Sequence, residues 1–417
     1  MYDHSYNPNT LANVLRKRDF LGIPTHNQED FRNLTINAAT KSALNIFNNT
    51  NPITKFHLKK KSAFRIKNLE NDLVVRKLSL NLKKIIRTHQ MSRSFIVTIL
   101  QHFLEESVAF RVYRLDIKSF YESFSINEIE NKLFSLREIS PHSKQLTKAL
   151  LHHYSTIDGE GLPRGMAISA ILSDFMMKEF DSSARNHPNV YLYGRYVDDI
   201  IIITNHDEDE FNFIEGIKQQ LPKGLHLNER KQAIKSFDKH KAVKQQEPFL
   251  KFSIEYLGYQ FFIYDRPKGN DNKPIFRLVR VEIAQSKIKK IKLRIVRTLI
   301  EFLKTKDETL LLDRIKYLTS NFSIIDKNTG KRRLAGIYHG YPLLSSQSKS
   351  LEELDKFLRN AILSKKGAIF SKTAVFISSR LKRRLLAQNF TRGHANKYFI
   401  YFSPSKISQI QKCWINE

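Results

Sequence analysis

The apolar positions of this chain follow two periods, and its clearest strand signals enclose a pair of acids. Val190-Tyr191-Leu192-Tyr193 and Ile200-Ile201-Ile202-Ile203 are β-branched and aromatic runs, and they predict two buried strands joined by a hairpin at Tyr196-Val197-Asp198-Asp199. A third strand is predicted from Phe110-Arg111-Val112-Tyr113-Arg114-Leu115; it delivers Asp116 at its end, with Phe120 and Tyr121 just beyond. Ser125-Ile126-Asn127-Glu128 matches a capping box and predicts a helix to about residue 136. Ile168, Ile171, Leu172, Phe175 and Met176 recur at helical spacing and predict a helix over 166–184. Another helix is expected near 208–220, a short strand and turn over 225–231, an exposed charged loop over 235–250, and a hairpin around Gly258.

The flanks are less patterned. Residues 1–50 are polar and Asn-rich, which suggests a loose arm or a helical lead-in. Residues 53–67, a turn at 68–72 and Leu73-Val74-Val75-Arg76-Lys77-Leu78 predict a hairpin with cations on one face, Lys59, Lys60 and Lys61 among them. Residues 79–105 predict helix. From residue 281 a helix is expected whose apolar face is Ile283, Ile288, Ile291, Ile295 and Leu299, and whose other face carries Lys287, Lys289, Lys290, Lys292, Arg294 and Arg297. Residues 308–380 read as mostly helical, broken by turns at 328–333 and 338–342.

Composition narrows the function. The 417 residues carry a formal net charge of +29, of which 30 Lys+Arg against 10 Asp+Glu lie in residues 276–417. That imbalance points to a polyanion, and nucleic acid fits because cations neutralise phosphates and release counterions. A single cysteine, Cys413, excludes an internal disulfide and a Cys-rich zinc site. No apolar run approaches the ~18 residues of a membrane helix, and the polar N-terminus does not read as a signal peptide. A cytoplasmic protein with no membrane partner is expected.

Two adjacent aspartates between buried strands are costly unless a cation shares them, and hard carboxylate oxygens suit Mg²⁺ or Mn²⁺. An ordinary Asp-containing turn is the alternative from this tetrapeptide alone. The loop Gly159-Glu160-Gly161-Leu162-Pro163-Arg164-Gly165 lets a backbone approach a ligand closely, but no Gly-Lys-Ser/Thr follows, so it is not a Walker loop.

The order of these pieces resembles the palm of the reverse transcriptases. An Asp-x-x-x-Phe-Tyr stretch begins at Asp116. A Gly-x-Pro-x-Gly loop opens a helix at Gly161. Tyr-x-Asp-Asp, a Gly-Leu-x-Leu-Asn-x-x-Lys segment ending at Lys231, and Leu257-Gly258 then follow. The first aspartate and the pair lie 82 positions apart with the Gly-rich helix between them.

The resemblance implies an α+β right-hand polymerase. Its parts would be an N-terminal arm (1–52), fingers (53–109), a palm (110–270) with fingers residues 122–160 interleaved, a thumb (271–345) and a basic C-terminal extension (346–417). It implies an RNA-directed DNA polymerase acting on dNTPs, with an RNA template and a DNA product. Asp116, Asp198 and Asp199, with the carbonyl of Ile117, would hold two Mg²⁺ ions, Mn²⁺ being a substitute. Lys231 would protonate pyrophosphate, Tyr121 would exclude the ribose 2′-hydroxyl, and Arg76 with Lys67 or Lys77 would hold the triphosphate. Arg164 and Gly165 would line the nucleotide, and Tyr256-Leu257-Gly258 would grip the primer.

The chain departs from the family at Arg164, where many members have Gln, and at Ala167 and Ala170, where intron and retron enzymes have prolines. Together with Arg314-Ile315-Lys316-Tyr317-Leu318-Thr319-Ser320-Asn321-Phe322 and Gly336-Ile337-Tyr338-His339-Gly340-Tyr341-Pro342, the Arg164 loop looks like the bacterial antiviral, defence-associated reverse transcriptases. That second resemblance implies a dedicated noncoding RNA, and a protein partner or a second copy of the chain. A catalytically silent RNA-binding scaffold, a retron- or intron-type enzyme and an RNA-dependent RNA polymerase stay open as alternatives.

Overall fold

The computed structural model describes residues 2–414 except 48–49, 59–60, 88–90, 240–246, 266–275, 326–331 and 346. The expected cations Lys59 and Lys60, the middle of the expected 235–250 loop and most of the 328–333 turn lie outside the described residues. The class is α+β, and every paired strand among the named sheets is antiparallel.

In chain order the elements are α1 (Pro8–Ala12), α2 (Gln28–Leu44), β1 (Ile53–Leu58), β2 (Lys61–Ile66), α3 (Leu69–Ile86), α4 (Arg93–Glu105), β3 (Phe110–Asp116), α5 (Ile126–Ser135), α6 (Pro141–Ser155) and α7 (Ala167–Arg185). Then come β4 (Val190–Tyr196), β5 (Asp199–Thr204), α8 (Glu210–Gln220), β6 (Ala233–Phe237), β7 (Phe249–Tyr256), β8 (Tyr259–Asp265), β9 (Leu278–Ile283), α9 (Gln285–Thr305) and α10 (Glu308–Thr319). The chain closes with β10 (Asn321–Ile325), β11 (Arg332–Gly336), α11 (Ile337–Gly340), α12 (Lys349–Leu363), α13 (Phe370–Phe376), α14 (Ser379–Leu386), α15 (Phe390–Ala395) and α16 (Pro404–Gln411). No helix among the described residues is long and apolar enough to cross a membrane.

The chain forms two compact units. The first comprises Met1–Ser92 and Ala109–Asp238, the second Arg93–Val108 and Lys239–Glu417. The first is built on a four-stranded sheet in the order β4-β5-β3-β6. Alternation along β5 sends Ile200 and Ile202 to one face, where they join Tyr113, Leu115 and Tyr193 in a core completed by Leu172, Phe175 and Phe180 of α7 and Phe213, Ile214 and Ile217 of α8. Tyr113 and Phe213 meet with ring centroids 4.8 Å apart. Ile201 and Ile203 face the other way and are buried too, which explains an unbroken isoleucine run. The antiparallel sheet of this unit is thus backed on one face by two helices, α7 and α8.

The first 50 residues follow the helical alternative rather than the loose arm: α1 and α2 form there, Tyr6, Leu11, Val14, Ala39 and Ala43 belong to the same core, and Ser42 donates to Asn71 on α3 at 2.5 Å. Residues 73–78 lie within the helix α3 rather than forming the second strand of a hairpin, while 79–86 are helical as expected. The hairpin is instead β1 with β2, registered from Ile53 opposite Ile66 to Leu58 opposite Lys61. The β-branched run misleads because Leu73, Val74, Leu78, Leu82 and Ile86 also recur at helical spacing, and their burial decides the matter. Residues 235–237, read as the start of the exposed loop, instead belong to β6, which pairs with β3 from Phe110 opposite Phe237 to Arg114 opposite Ala233.

The helix redirects two cations assigned to a triphosphate. Arg76 is 8% exposed and spans Asp19, at 2.6 and 2.9 Å, and Asp72, at 2.5 Å, while also donating to the Val14 carbonyl at 3.1 Å. Lys77 is 3% exposed, donates to the Asp3 carbonyl at 2.5 Å and lies over the Tyr2 ring. Both side chains hold the N-terminal segment against α3. Lys67 ends exposed just past β2.

In the second unit β7, β8 and β9 form a meander, with a turn at Leu257 and Gly258, both at positive φ. Arg93 holds that turn, donating to the Leu257 carbonyl at 2.7 and 2.9 Å and to the Gly340 carbonyl at 2.9 Å. α9 buries Ile288, Ile295, Leu299 and Phe302. Its expected cationic face is only partly free for solvent: Lys287 and Lys289 are exposed, but Lys292 pairs with Glu353 at 2.5 Å and Arg294 lies over the Trp414 ring. The 308–380 region also contains an unexpected hairpin, β10 with β11.

Removing the Arg76 guanidinium strips Asp19, its side chain 5% exposed, of its two-pronged partner and leaves it the Arg16 N–H at 2.8 Å and Arg18 at 3.8 Å. Arg76→Met is expected to lower the unfolding free energy by about 3–5 kcal/mol. Urea denaturation at neutral pH measures it.

Candidate active site

The sheet register brings the three expected aspartates to one end of the first unit. Asp116 closes β3 and stands directly opposite Asp199, the first residue of β5. Opposed residues of an antiparallel pair have Cβ atoms about 4.5–5.5 Å apart and share a face. Asp199 in turn stands opposite Tyr196 of β4, and the Ile117 N–H donates to the Asp198 carbonyl at 3.1 Å. The acids lie on the face turned away from α7 and α8, because Ile200 and Leu115, their sequence neighbours, point into the helix-covered core.

The turn carrying Asp198 is strained and strapped. Val197 adopts φ +61°, a left-handed conformation that costs a β-branched residue about 1–3 kcal/mol. Arg195, on the helix side of β4, donates to the Val197 carbonyl at 3.0 Å. The same guanidinium is bidentate to Asp181 of α7, at 2.7 Å to each oxygen, and reaches Asp174 at 3.3 Å. One buried cation thus anchors the acidic turn to the helix that the Gly-rich loop opens.

Asp116 has its own partners. Lys231 donates to one carboxylate oxygen at 2.7 Å and the Asn228 side chain to the other at 3.0 Å. The Asn228 N–H also binds the Asp116 carbonyl at 2.7 Å, and Leu227 bridges Ile117, so the Gly-Leu-x-Leu-Asn-x-x-Lys segment is stitched along the strand end. The bond to Asp116 raises the Lys231 ammonium above its usual pKa, which keeps it charged.

Burial raises both acids of the pair above the usual carboxylate range. For Asp198 the Asp116 charge adds to burial, while Lys231 and Arg164 oppose it. For Asp199 the charges of Asp198 and Asp116 add, while Arg114 and Lys231 oppose. As the side chains lie, no group of three His, Cys, Asp or Glu among the described residues is set to hold a metal. Asp116 is already committed to Lys231 and Asn228. The donor set still fits a hard divalent cation: three carboxylates and the adjoining Ile117 carbonyl, two of the acids carrying a repulsion that such an ion relieves.

The nucleotide-side residues gather next to this cluster. The Leu162 N–H donates to the Tyr121 carbonyl at 2.7 Å, and Gly161, at φ +66°, lies so close to Tyr121 and Glu122 that a Cβ would strike their backbone. Arg164 makes a two-pronged bond to Glu122, 2.9 Å for each prong, and its guanidinium lies 5.4 Å from the Tyr121 ring centroid. Its carbonyl accepts from the Phe64 N–H at 2.8 Å, tying the loop to β2, and Gly165 follows at φ +99°. Asp116, Ile117, Tyr121, Arg164, Gly165, Asp198, Asp199 and Lys231 are thus brought together at one end of the first unit, whereas Arg76 and Lys77, in the same unit, are committed to Asp19, Asp72 and the Asp3 carbonyl.

Sequence reasoning missed three supporting residues. Asn228 sat inside a quoted motif without a role. Glu122 follows Tyr121 directly, and Arg195 precedes Tyr196. Each was visible only as a charge or amide beside a singled-out residue.

The family model described as reverse transcriptase (RNA-dependent DNA polymerase) matches residues 49–261. A solved structure of apo telomerase from Candida tropicalis, truncated from the C-terminal domain, is similar over 51% of this chain and 53% of that chain, at 15% identity and a TM-score of 0.32. The matched part therefore spans about half of that structure's length, and at that score the likeness fixes neither fold nor function. No curated protein matches the chain.

The raised acids carry a sign. An acid whose folded pKa lies above its unfolded value destabilises the fold when ionised, so its cost is complete at neutral pH and vanishes below the unfolded value. Asp198→Asn is expected to raise Tm at pH 7 in metal-free buffer, with the gain shrinking as pH falls through the carboxylate range. Scanning calorimetry across pH measures both.

Proposed function

The chain belongs to the reverse transcriptase family, and from that premise we propose that it is an RNA-directed DNA polymerase that joins dNTPs on an RNA template. The single observation that carries this reading is the cross-strand register of Asp116 with Asp199, with Asp198 in the adjoining turn. A divalent cation pair, Mg²⁺ by the hardness of the donors, would supply activation of the primer 3′-hydroxyl and neutralisation of the phosphates. Asp116, Asp198, Asp199 and the Ile117 carbonyl would hold it.

The remaining work falls to the chain's own side chains. The primer 3′-oxygen attacks the α-phosphorus, the bond to the β-phosphate breaks, and pyrophosphate leaves. Lys231, held charged beside Asp116, supplies the proton to that leaving group. Tyr121, its ring braced by Arg164 and its backbone seated against Gly161, excludes the ribose 2′-hydroxyl. Arg164 itself is not free for the triphosphate, since Glu122 holds it; its part is to brace the Tyr121 ring. Residues 53–109 act as fingers, 110–270 as palm, 271–345 as thumb, and the Leu257–Gly258 turn, pinned by Arg93, as the primer grip.

A bacterial antiviral role with a dedicated noncoding RNA is the finer reading. Its support is the likeness of the Arg164 loop and of the 314–322 and 336–342 stretches to the defence-associated members of the family, together with the basic C-terminal third.

Primer extension with Mg²⁺, dNTPs and an RNA template tests the polymerase reading. Asp198→Ala and Asp199→Ala should each lower incorporation by roughly two orders of magnitude or more. Unchanged incorporation would assign the chemistry to other residues, and no incorporation by the wild type would favour the RNA-binding scaffold. Tyr121→Ala should raise ribonucleotide use relative to dNTP use by about ten- to a hundredfold; competing single-nucleotide incorporation measures the ratio.

A further inference from the structure

The second unit displays aromatic rings to solvent on a small sheet that lies outside residues 49–261. In β10 and β11, Ser323 stands opposite Leu334 and Ile325 opposite Arg332. Beyond α15 the chain runs parallel to β10. The Asn321 N–H donates to the Tyr398 carbonyl and the Ile400 N–H to the Asn321 carbonyl, both at 2.8 Å, which makes Phe399 the bridge partner of Asn321. Exposure, not strand alternation, separates the residues around that bridge. Phe322 and Phe402 turn inward, with ring centroids 6.0 Å apart. Phe399 and Tyr401 turn outward, with Ile325 and Leu334, and are 47% and 64% exposed.

Exposed aromatic residues are ordinary when scattered. Here two exposed rings stand two residues apart, in a segment joined to β10 by the bridge at Phe399. The electrostatics point the same way. Residues 356–416 hold thirteen Lys and Arg and no Asp or Glu. Arg332 is exposed on the outward face, and Lys397 is exposed just before the aromatic pair.

We propose that this face binds single-stranded RNA, stacking unpaired bases on Phe399 and Tyr401 while Arg332 and Lys397 meet the phosphates. A duplex hides its base faces and would gain only the phosphate contacts. The choice of RNA over DNA rests on the template assigned above; the choice of a single strand rests on the rings.

The test uses the full chain and a 12-nucleotide oligouridine carrying 4-thiouridine. Photocrosslinking followed by peptide mapping should label residues 398–402. By fluorescence anisotropy, Phe399→Ala with Tyr401→Ala should weaken binding about tenfold or more, since stacking contributes ~1–3 kcal/mol per base. Phe399→Tyr with Tyr401→Phe should keep the wild-type affinity. The inference is overturned by crosslinks confined to residues 49–261 with unchanged affinity in the alanine pair. Equal affinity for duplex RNA, or for the DNA 12-mer, overturns it too. A wild-type dimer that the alanine pair dissociates without any change in RNA binding would make the face a self-association surface instead. Primer extension run in parallel separates the two readings. Synthesis without labelling at 398–402 sinks this one alone, and labelling without synthesis sinks the polymerase alone.

Discussion

Two carboxylates on opposed residues of paired strands, with a third in the adjoining turn, repel one another in a site that water reaches poorly. The first unit is arranged around that repulsion. Asp116 is drawn to Lys231 and Asn228, and Arg114 opposes the charge of Asp199. The acid pair stays above its ordinary range all the same. A sheet under selection for stability alone would replace at least one of these acids. Keeping all three, on the face turned away from the helices, leaves an electrostatic deficit that a cation can fill.

The same logic explains the buried polar groups around the site. Arg195 sits on the helix side of the sheet because Asp174 and Asp181 of α7 can satisfy it, and from there it holds the strained Val197 carbonyl. Arg164 is satisfied by Glu122 and braces the Tyr121 ring, while the loop carrying it is bonded to β2. Each contact fixes a chain reversal rather than a regular element. Reversals are where backbone geometry is least determined by its own hydrogen bonds, so side-chain anchors matter most there.

What the sequence made legible follows from how local each signal is. β3, the β4–β5 hairpin, α5, α7 and α8 were readable because period and capping residues lie within a few positions of one another. The acidic cluster was readable because Asp116 and the pair end predictable strands, and the family's motif order placed them together. Leu73-Val74-Val75 misled because β-branched runs satisfy both periods over so few residues, and only the burial of Leu82 and Ile86 further along separates helix from strand. Arg76 and Lys77 then lost their assigned role, since their partners Asp19 and Asp3 lie more than fifty positions away. The docked N-terminus, β6 and the β10–β11 hairpin were illegible for a like reason. Their stabilising contacts are long-range, and their own composition is polar or short.

Anomalous diffraction from crystals of the protein soaked in Mn²⁺ tests the proposed cation site most directly. The account predicts a manganese peak bound by Asp116 together with Asp198 or Asp199, with the Lys231 ammonium displaced from Asp116. Ordered crystals at saturating Mn²⁺ with no peak at these carboxylates, and with Lys231 still on Asp116, would contradict it.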